Sequence, residues 1–198
     1  MYKNIEKKIF DYLSKHLSYE RCEHSYNVAM LAVKLASVYN EKNILKAQIA
    51  GLLHDCAKYM TNERLVNFFK KNNKNLEYFY EIIRFSPYLL HSFAGEIIAR
   101  ENFKIKDKDI LNSIRNHTLG RENMSILEKI IFVADSASYD RKWENAEEMR
   151  NLAKKDLDEA FFKILKRKIG HAISNSVFLC SQAVSTWNWY VSNNKKNT

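Results

Sequence analysis

Imidazole and carboxylate side chains recur in this sequence at places where helical patterning calls for apolar ones. The adjacent pair His54-Asp55 closes the apolar run Ala50-Gly51-Leu52-Leu53 and precedes Cys56-Ala57-Lys58. His24 stands four residues before Val28 and seven before Leu31, so on a helix it shares their core-facing stripe. Asp135 stands four residues after Ile131 and falls on the core face of its own helix. His91 and His117 also lie in or beside apolar helical segments. Taken singly, each histidine reads as a satisfied core or surface residue. A lone buried carboxylate costs several kcal/mol unless it is paired, hydrogen-bonded or bound to a metal. The set together is better explained by a metal site in the interior of a helical bundle, where such sites are built from facing helices.

The donors are imidazoles and carboxylates without thiolate. They favour a borderline-to-hard metal (Fe, Mn, Co, Ni or Zn) over a cysteine-rich zinc site. Water on such a metal has a lowered pKa and can attack phosphorus at neutral pH. Arg21, Lys58 and Arg141 flank the ligand-type residues and could hold phosphates, although each alone also fits an exposed helix charge. His16 and His171 lack such company and read as surface or structural residues. Cys56 reads as a small packing residue, and Trp187, Trp189 and Tyr190 as core or lid packing.

These residues need a scaffold, and the composition specifies its class. The 198 residues include only four Gly and one Pro, which argues for long helices and against a loop-rich β sandwich. Apolar spacing is helical over residues 4–17, 18–40, 43–54, 61–69, 90–100 and 107–116. Thr61 is placed to cap one helix, and Ser125-Ile126-Leu127-Glu128 forms a capping-box pattern ahead of Ile130 and Ile131. Asp156 begins another helix that runs toward His171 and beyond, and Pro87 ends a helix at Phe85-Ser86. Residues 70–75 form a polar break. No repeat or linker divides the chain, so a single all-α domain is expected over 1–192, followed by a polar tail at 193–198. Successive residues on a helix diverge by about 100°. The helix carrying His54 must therefore bend or end at Asp55 if both side chains are to share an ion.

Lys and Arg number 32 against 23 Asp and Glu, an excess that suits phosphate-rich partners. Three cysteines without CxxC spacing, no apolar run of membrane-spanning length and no signal-peptide pattern point to a cytoplasmic protein.

The segments Arg21-Cys22-Glu23-His24-Ser25, Gly51-Leu52-Leu53-His54-Asp55-Cys56-Ala57-Lys58, Leu89-Leu90-His91-Ser92, Asn116-His117-Thr118-Leu119-Gly120 and Val133-Ala134-Asp135 followed by Arg141 occur in one order. In that order they resemble the HD-domain metal-dependent phosphohydrolases. More narrowly, they resemble the YqeK family, which cleaves diadenosine tetraphosphate symmetrically to two ADP by attack of metal-bound hydroxide. The resemblance covers about residues 18–190 and implies a helical HD-domain bundle holding one or two metals, usually iron. It implies that His24, His54, Asp55 and Asp135 hold the first metal and that His91 and His117 hold a second metal or the phosphate. Asp55, His91 and His117 would then be catalytic, and Arg21, Lys58, His91, His117 and Arg141 would contact substrate. Thr186-Trp187-Asn188 resembles the family's nucleotide-contacting end. A dinucleoside polyphosphate or other nucleotide is thus the expected partner. No membrane and no stable nucleic-acid partner are expected, and a homodimer is compatible with the sequence. Another HD nucleotidase or phosphodiesterase remains the alternative, with a non-catalytic nucleotide- or RNA-binding protein behind it.

Overall fold

The computed structural model describes residues 5–39, 44–71 and 79–193. It is helical, and no strand occurs among the described residues. The order is α1 (Ile5–His16), α2 (Tyr19–Tyr39), α3 (Ile44–Leu53), α4 (Asn62–Lys71), α5 (Tyr80–Phe85), a 3-10 turn (Pro87–Leu89), α6 (Leu90–Asn102), α7 (Lys108–Asn116), α8 (Ile126–Ala137), α9 (Ala146–Lys155), α10 (Leu157–Ser174) and α11 (Ser181–Asn193). None of these helices is long and apolar enough to cross a membrane.

The expected boundaries hold where a cap specifies them. The Thr61 hydroxyl accepts from Arg64 N at the start of α4. Asp107 caps α7 through Asp109 N and Ile110 N. Ser125 and Glu128 complete the capping box of α8, and Asp156 caps α10 through Glu159 N. Three expectations shift. Lys70 and Lys71 belong to α4 rather than to the polar break, His54 stands one residue beyond the end of α3, and Asn193, expected in the polar tail, is the last residue of α11. The expected helix ends at residues 4, 40 and 43, the break at 72–75 and the tail at 194–198 lie outside the described residues.

The core is one cluster that includes Leu31, Leu35, Ile49, Leu53, Ile130, Ile131, Phe132 and Phe161, all buried. Helix α2 lies in the middle, packed on α3 and α8, while α7 bridges α3, α6 and α8. The α2–α3 crossing is close because Gly51 has no side chain. A Cβ there would stand 2.6 Å from Ala29 Cα. That approach brings the stripe carrying His24 against the end of α3, where His54 follows. Gly51→Ala is expected to force the two helices apart and to cost about 1–3 kcal/mol. Urea unfolding checks this, and a wild-type midpoint would contradict it.

Candidate metal centre

Helix α3 stops at Leu53, and the chain then tightens into consecutive turns. Cys56 N donates to Leu53 O (3.1 Å), Lys58 N to Asp55 O (2.9 Å) and Met60 N to Ala57 O (3.1 Å). This break lets His54 and Asp55 face one centre, as the adjacency requires. His24 reaches the centre from the buried face of α2, His91 from the first turn of α6 and His117 from the C-terminal cap of α7. Asp135 arrives from the last turn of α8, and Arg141 from the turn that follows.

Three of the four histidines are oriented in the same way. His54 Nδ1 donates to Gly51 O (2.7 Å), His91 Nδ1 to Tyr88 O (2.6 Å) and His117 Nδ1 to Ile114 O (2.8 Å). Each imidazole is tied to a carbonyl three residues back, so its proton is assigned to Nδ1 and its Nε2 carries a lone pair. Those lone pairs converge. His91 Nε2 and His117 Nε2 are 3.3 Å apart, and Asp55 Oδ1 lies 3.1 Å from the first and 3.5 Å from the second. His54 Nε2 stands 3.7 Å from Asp55 Oδ2 and 3.8 Å from Asp135 Oδ1. Both His54 Nε2 and Asp55 Oδ1 are buried without a hydrogen-bond partner. Acceptors that face acceptors in a buried site lack the proton that would join them, and a bound cation resolves the conflict.

The donors fall into two groups that share Asp55. His24, His54 and Asp55 present ligand atoms within 4.8 Å of one another, and so do Asp55, His91 and His117. Asp135 adjoins the first group, with Oδ1 3.2 Å from His24 Nε2. Each group would supply donors for one ion, and Asp55 belongs to both. Burial pushes His54 down to about 3 and also lowers His91, so both imidazoles are neutral near neutral pH, as ligands must be. His24 differs. Burial opposes its charge, yet the Asp135 and Asp140 carboxylates raise its pKa overall.

The expected cations all reach this centre. Arg21 Nη1 pairs with Asp55 Oδ2 (2.8 Å), and Arg141 donates from Nη2 to Asp135 Oδ1 and from Nε to Asp135 O, both at 2.8 Å. Lys58 Nζ lies 3.3 Å from both ring nitrogens of His91. Cys56 is buried packing, as expected, and His16 stacks on Tyr59. Trp187 stacks on Phe162, and Tyr190 packs on Phe161. The Thr186 hydroxyl is spent on Leu119 O and Gln182 O. None of Thr186, Trp187 and Asn188 lines the cavity beside the histidines, so their likeness to a nucleotide-contacting end finds no support in that cavity.

Sequence reasoning missed two residues here. Lys168 of α10 places Nζ 3.7 Å from Asp135 Oδ2, and Asp140 Oδ2 lies 2.8 Å from His24 Nδ1. Asp140 gives His24 a carboxylate partner where the other three histidines use backbone carbonyls. Such partners orient a ligand and raise its basicity. Asp140→Asn is expected to weaken metal retention about 10–100-fold, read by metal analysis after dialysis. Undiminished retention would contradict it.

The comparisons with known proteins agree with this geometry. The family model described as HD domain matches residues 21–140, the stretch from Arg21 to Asp140. The chain belongs to the HD-domain family. Among its relatives is the symmetrical bis(5'-nucleosyl)-tetraphosphatase of Halalkalibacterium halodurans, 32% identical over 181 residues, or 91% of this chain and 94% of that protein. The protein of the same description from Bacillus subtilis is 29% identical, again over 91% of this chain and 94% of its own length. A crystal structure of a predicted HD superfamily hydrolase involved in NAD metabolism from Clostridium acetobutylicum superposes with a TM-score of 0.90 at 39% identity, covering 96% of this chain and 98% of that one. The HD domain and its His/Asp cluster indicate divalent metal binding.

Proposed function

We propose that this HD-domain protein is a metal-dependent hydrolase that cleaves diadenosine tetraphosphate symmetrically to two ADP. The observation that carries the reading is the convergence of unprotonated Nε2 atoms on Asp55, where the two ligand groups meet. The likeness of nearly the whole chain to symmetrical tetraphosphatases supports it.

His24, His54, Asp55 and Asp135 would hold one ion, and Asp55, His91 and His117 a second. A divalent ion bound there polarises phosphoryl oxygens and lowers the pKa of water. Asp55, with Oδ2 on Arg21 and Oδ1 turned to His91 and His117, serves as a bridge between the groups. Arg21 and Arg141 keep a little over a third of their side chains exposed while anchored on the ligand carboxylates, so their free guanidinium N–H groups can grip phosphate oxygens. Lys58 adds a compact charge over His91. In the reaction the water oxygen joins one of the two central phosphorus atoms and the bridging P–O bond breaks. One ADP leaves, the other keeps the new oxygen, and the water's protons pass to solvent. The family resemblance favours iron as the metal, while Mn, Co, Ni and Zn suit the same donors. We take residues 1–192 as the working unit with a terminal tail, and the cytoplasm as its place of action.

A substrate panel tests the reading. Metal-loaded protein should turn over diadenosine tetraphosphate, lose that activity to chelator and recover it with added metal. Release of inorganic phosphate from mononucleotides, with the dinucleotide untouched, would instead identify a nucleotidase on the same ligands.

A further inference from the structure

A separate cavity, of about 950 Å³, is walled by α5, α7, the loop between α7 and α8, and one face of α11. No residue of either ligand group lines it, and neither do Arg21, Lys58, Arg141 or Lys168. Most charges on its wall already have partners. Arg121 is paired with Glu128 through Nε and Nη2. Glu81 accepts from Ser181 N (2.8 Å) and Ser181 Oγ (2.6 Å) at the start of α11, and Glu122 is exposed to water.

Arg115 is different. It is half-buried, with its guanidinium carbon 5.0 Å from the centre of the Phe93 ring. Among the described residues no carboxylate or carbonyl pairs with it. A guanidinium is a fork of donors without an acceptor of its own, and a partly buried one is stabilised by an anion that fills the fork. The rest of the wall offers amides and aromatic rings. Gln182 Nε2 donates to Gly120 O, while Gln182 Oε1 is buried and accepts from no donor. Asn112, Tyr80 and Trp189 line the cavity with it. Aromatic faces stack flat bases, and side-chain amides pair with base edges or hydroxyls.

One unpaired cation beside amides and two aromatic side chains suits a nucleotide with a single phosphate. A longer phosphate chain would meet Glu81 and Glu122 on the same wall. The volume is at the upper end of the range for small-molecule sites, so a whole nucleotide fits. We propose that this cavity is a second nucleotide site, which takes a nucleoside monophosphate with its phosphate on Arg115 and its base against Trp189. The site is distinct from the metal centre and stands or falls apart from the tetraphosphatase reading.

Equilibrium dialysis of labelled AMP against the metal-loaded full chain counts the sites. Arg115→Met removes the cation and keeps the apolar stem on Phe93. Ser185→Trp fills the cavity from an exposed position on α11. Each variant should bind one AMP fewer per chain than wild type, with metal content and turnover of diadenosine tetraphosphate unchanged. Adenosine, read by the same difference, should occupy the site about tenfold more weakly than AMP or worse. An equal AMP count in wild type and both variants would overturn the site. Adenosine held as tightly as AMP would overturn the phosphate role of Arg115. Loss of metal or turnover in Ser185→Trp would make the cavity part of the catalytic centre and overturn its independence.

Discussion

Asp55→Ala is expected to strip the centre of metal and to lower turnover about a thousandfold or more. No other ligand belongs to both donor groups, and its carboxylate lies within 4 Å of His54, His91 and His117. Removing it leaves the first group short of its carboxylate bridge and the second with two imidazoles whose lone pairs face each other at 3.3 Å. It also frees Arg21, which pairs with Asp55 Oδ2. Metal analysis and turnover on the same preparation check the result. The change opens space in a polar site and removes little apolar packing, so the helical circular dichroism should persist. A variant that keeps its metal and most of its activity would show that Asp55 is not the bridge.

The largest expected effect on stability lies one layer further out. Glu128 is fully buried and serves three structures at once. It accepts from Arg121 Nε (2.7 Å) and Asn116 Nδ2 (2.8 Å), and its second oxygen accepts from Ser125 N (2.8 Å) in the capping box of α8. Glu128→Ala leaves the Asn116 amide and Ser125 N without their acceptor, while the Arg121 guanidinium, more than a third exposed, can turn to water, so the change should cost about 2–4 kcal/mol. Asn116 precedes His117, and Arg121 closes the loop beyond it, so the loss should also loosen His117 and lower metal occupancy. Glu128→Gln, which keeps the shape and one acceptor, should cost less. Thermal unfolding with metal analysis reads both effects. A loss below about 1 kcal/mol would contradict the account.

What was legible in the sequence follows from what carries a local signal. Helices α2, α3, α6, α7 and α8 announce themselves by apolar spacing, and α4, α7, α8 and α10 by caps that the chain uses. Helix α9 does not stand out, because only Ala146, Met149 and Ala153 of its residues are buried and two of them are small. The division of α10 from α11 is also silent, since no Gly or Pro marks it. The chain turns there at Ser176, with φ of 52°, a left-handed conformation that serine seldom signals. In the centre, His24, His54, Asp55 and Asp135 were readable because each breaks an apolar stripe. Asp140 sits in an irregular turn, where a carboxylate looks like any solvated one. Lys168 shares a helix face with Leu165 and Ala172, a pattern that the basic background of α10 concealed.

The central claim is symmetrical cleavage at phosphorus, and its most direct measurement is hydrolysis of diadenosine tetraphosphate in ¹⁸O-labelled water, with the products separated and weighed. The account predicts ADP as the sole nucleotide, with one labelled oxygen in one molecule of each pair released. AMP and ATP as products, or an intact substrate with metal in place, would contradict it.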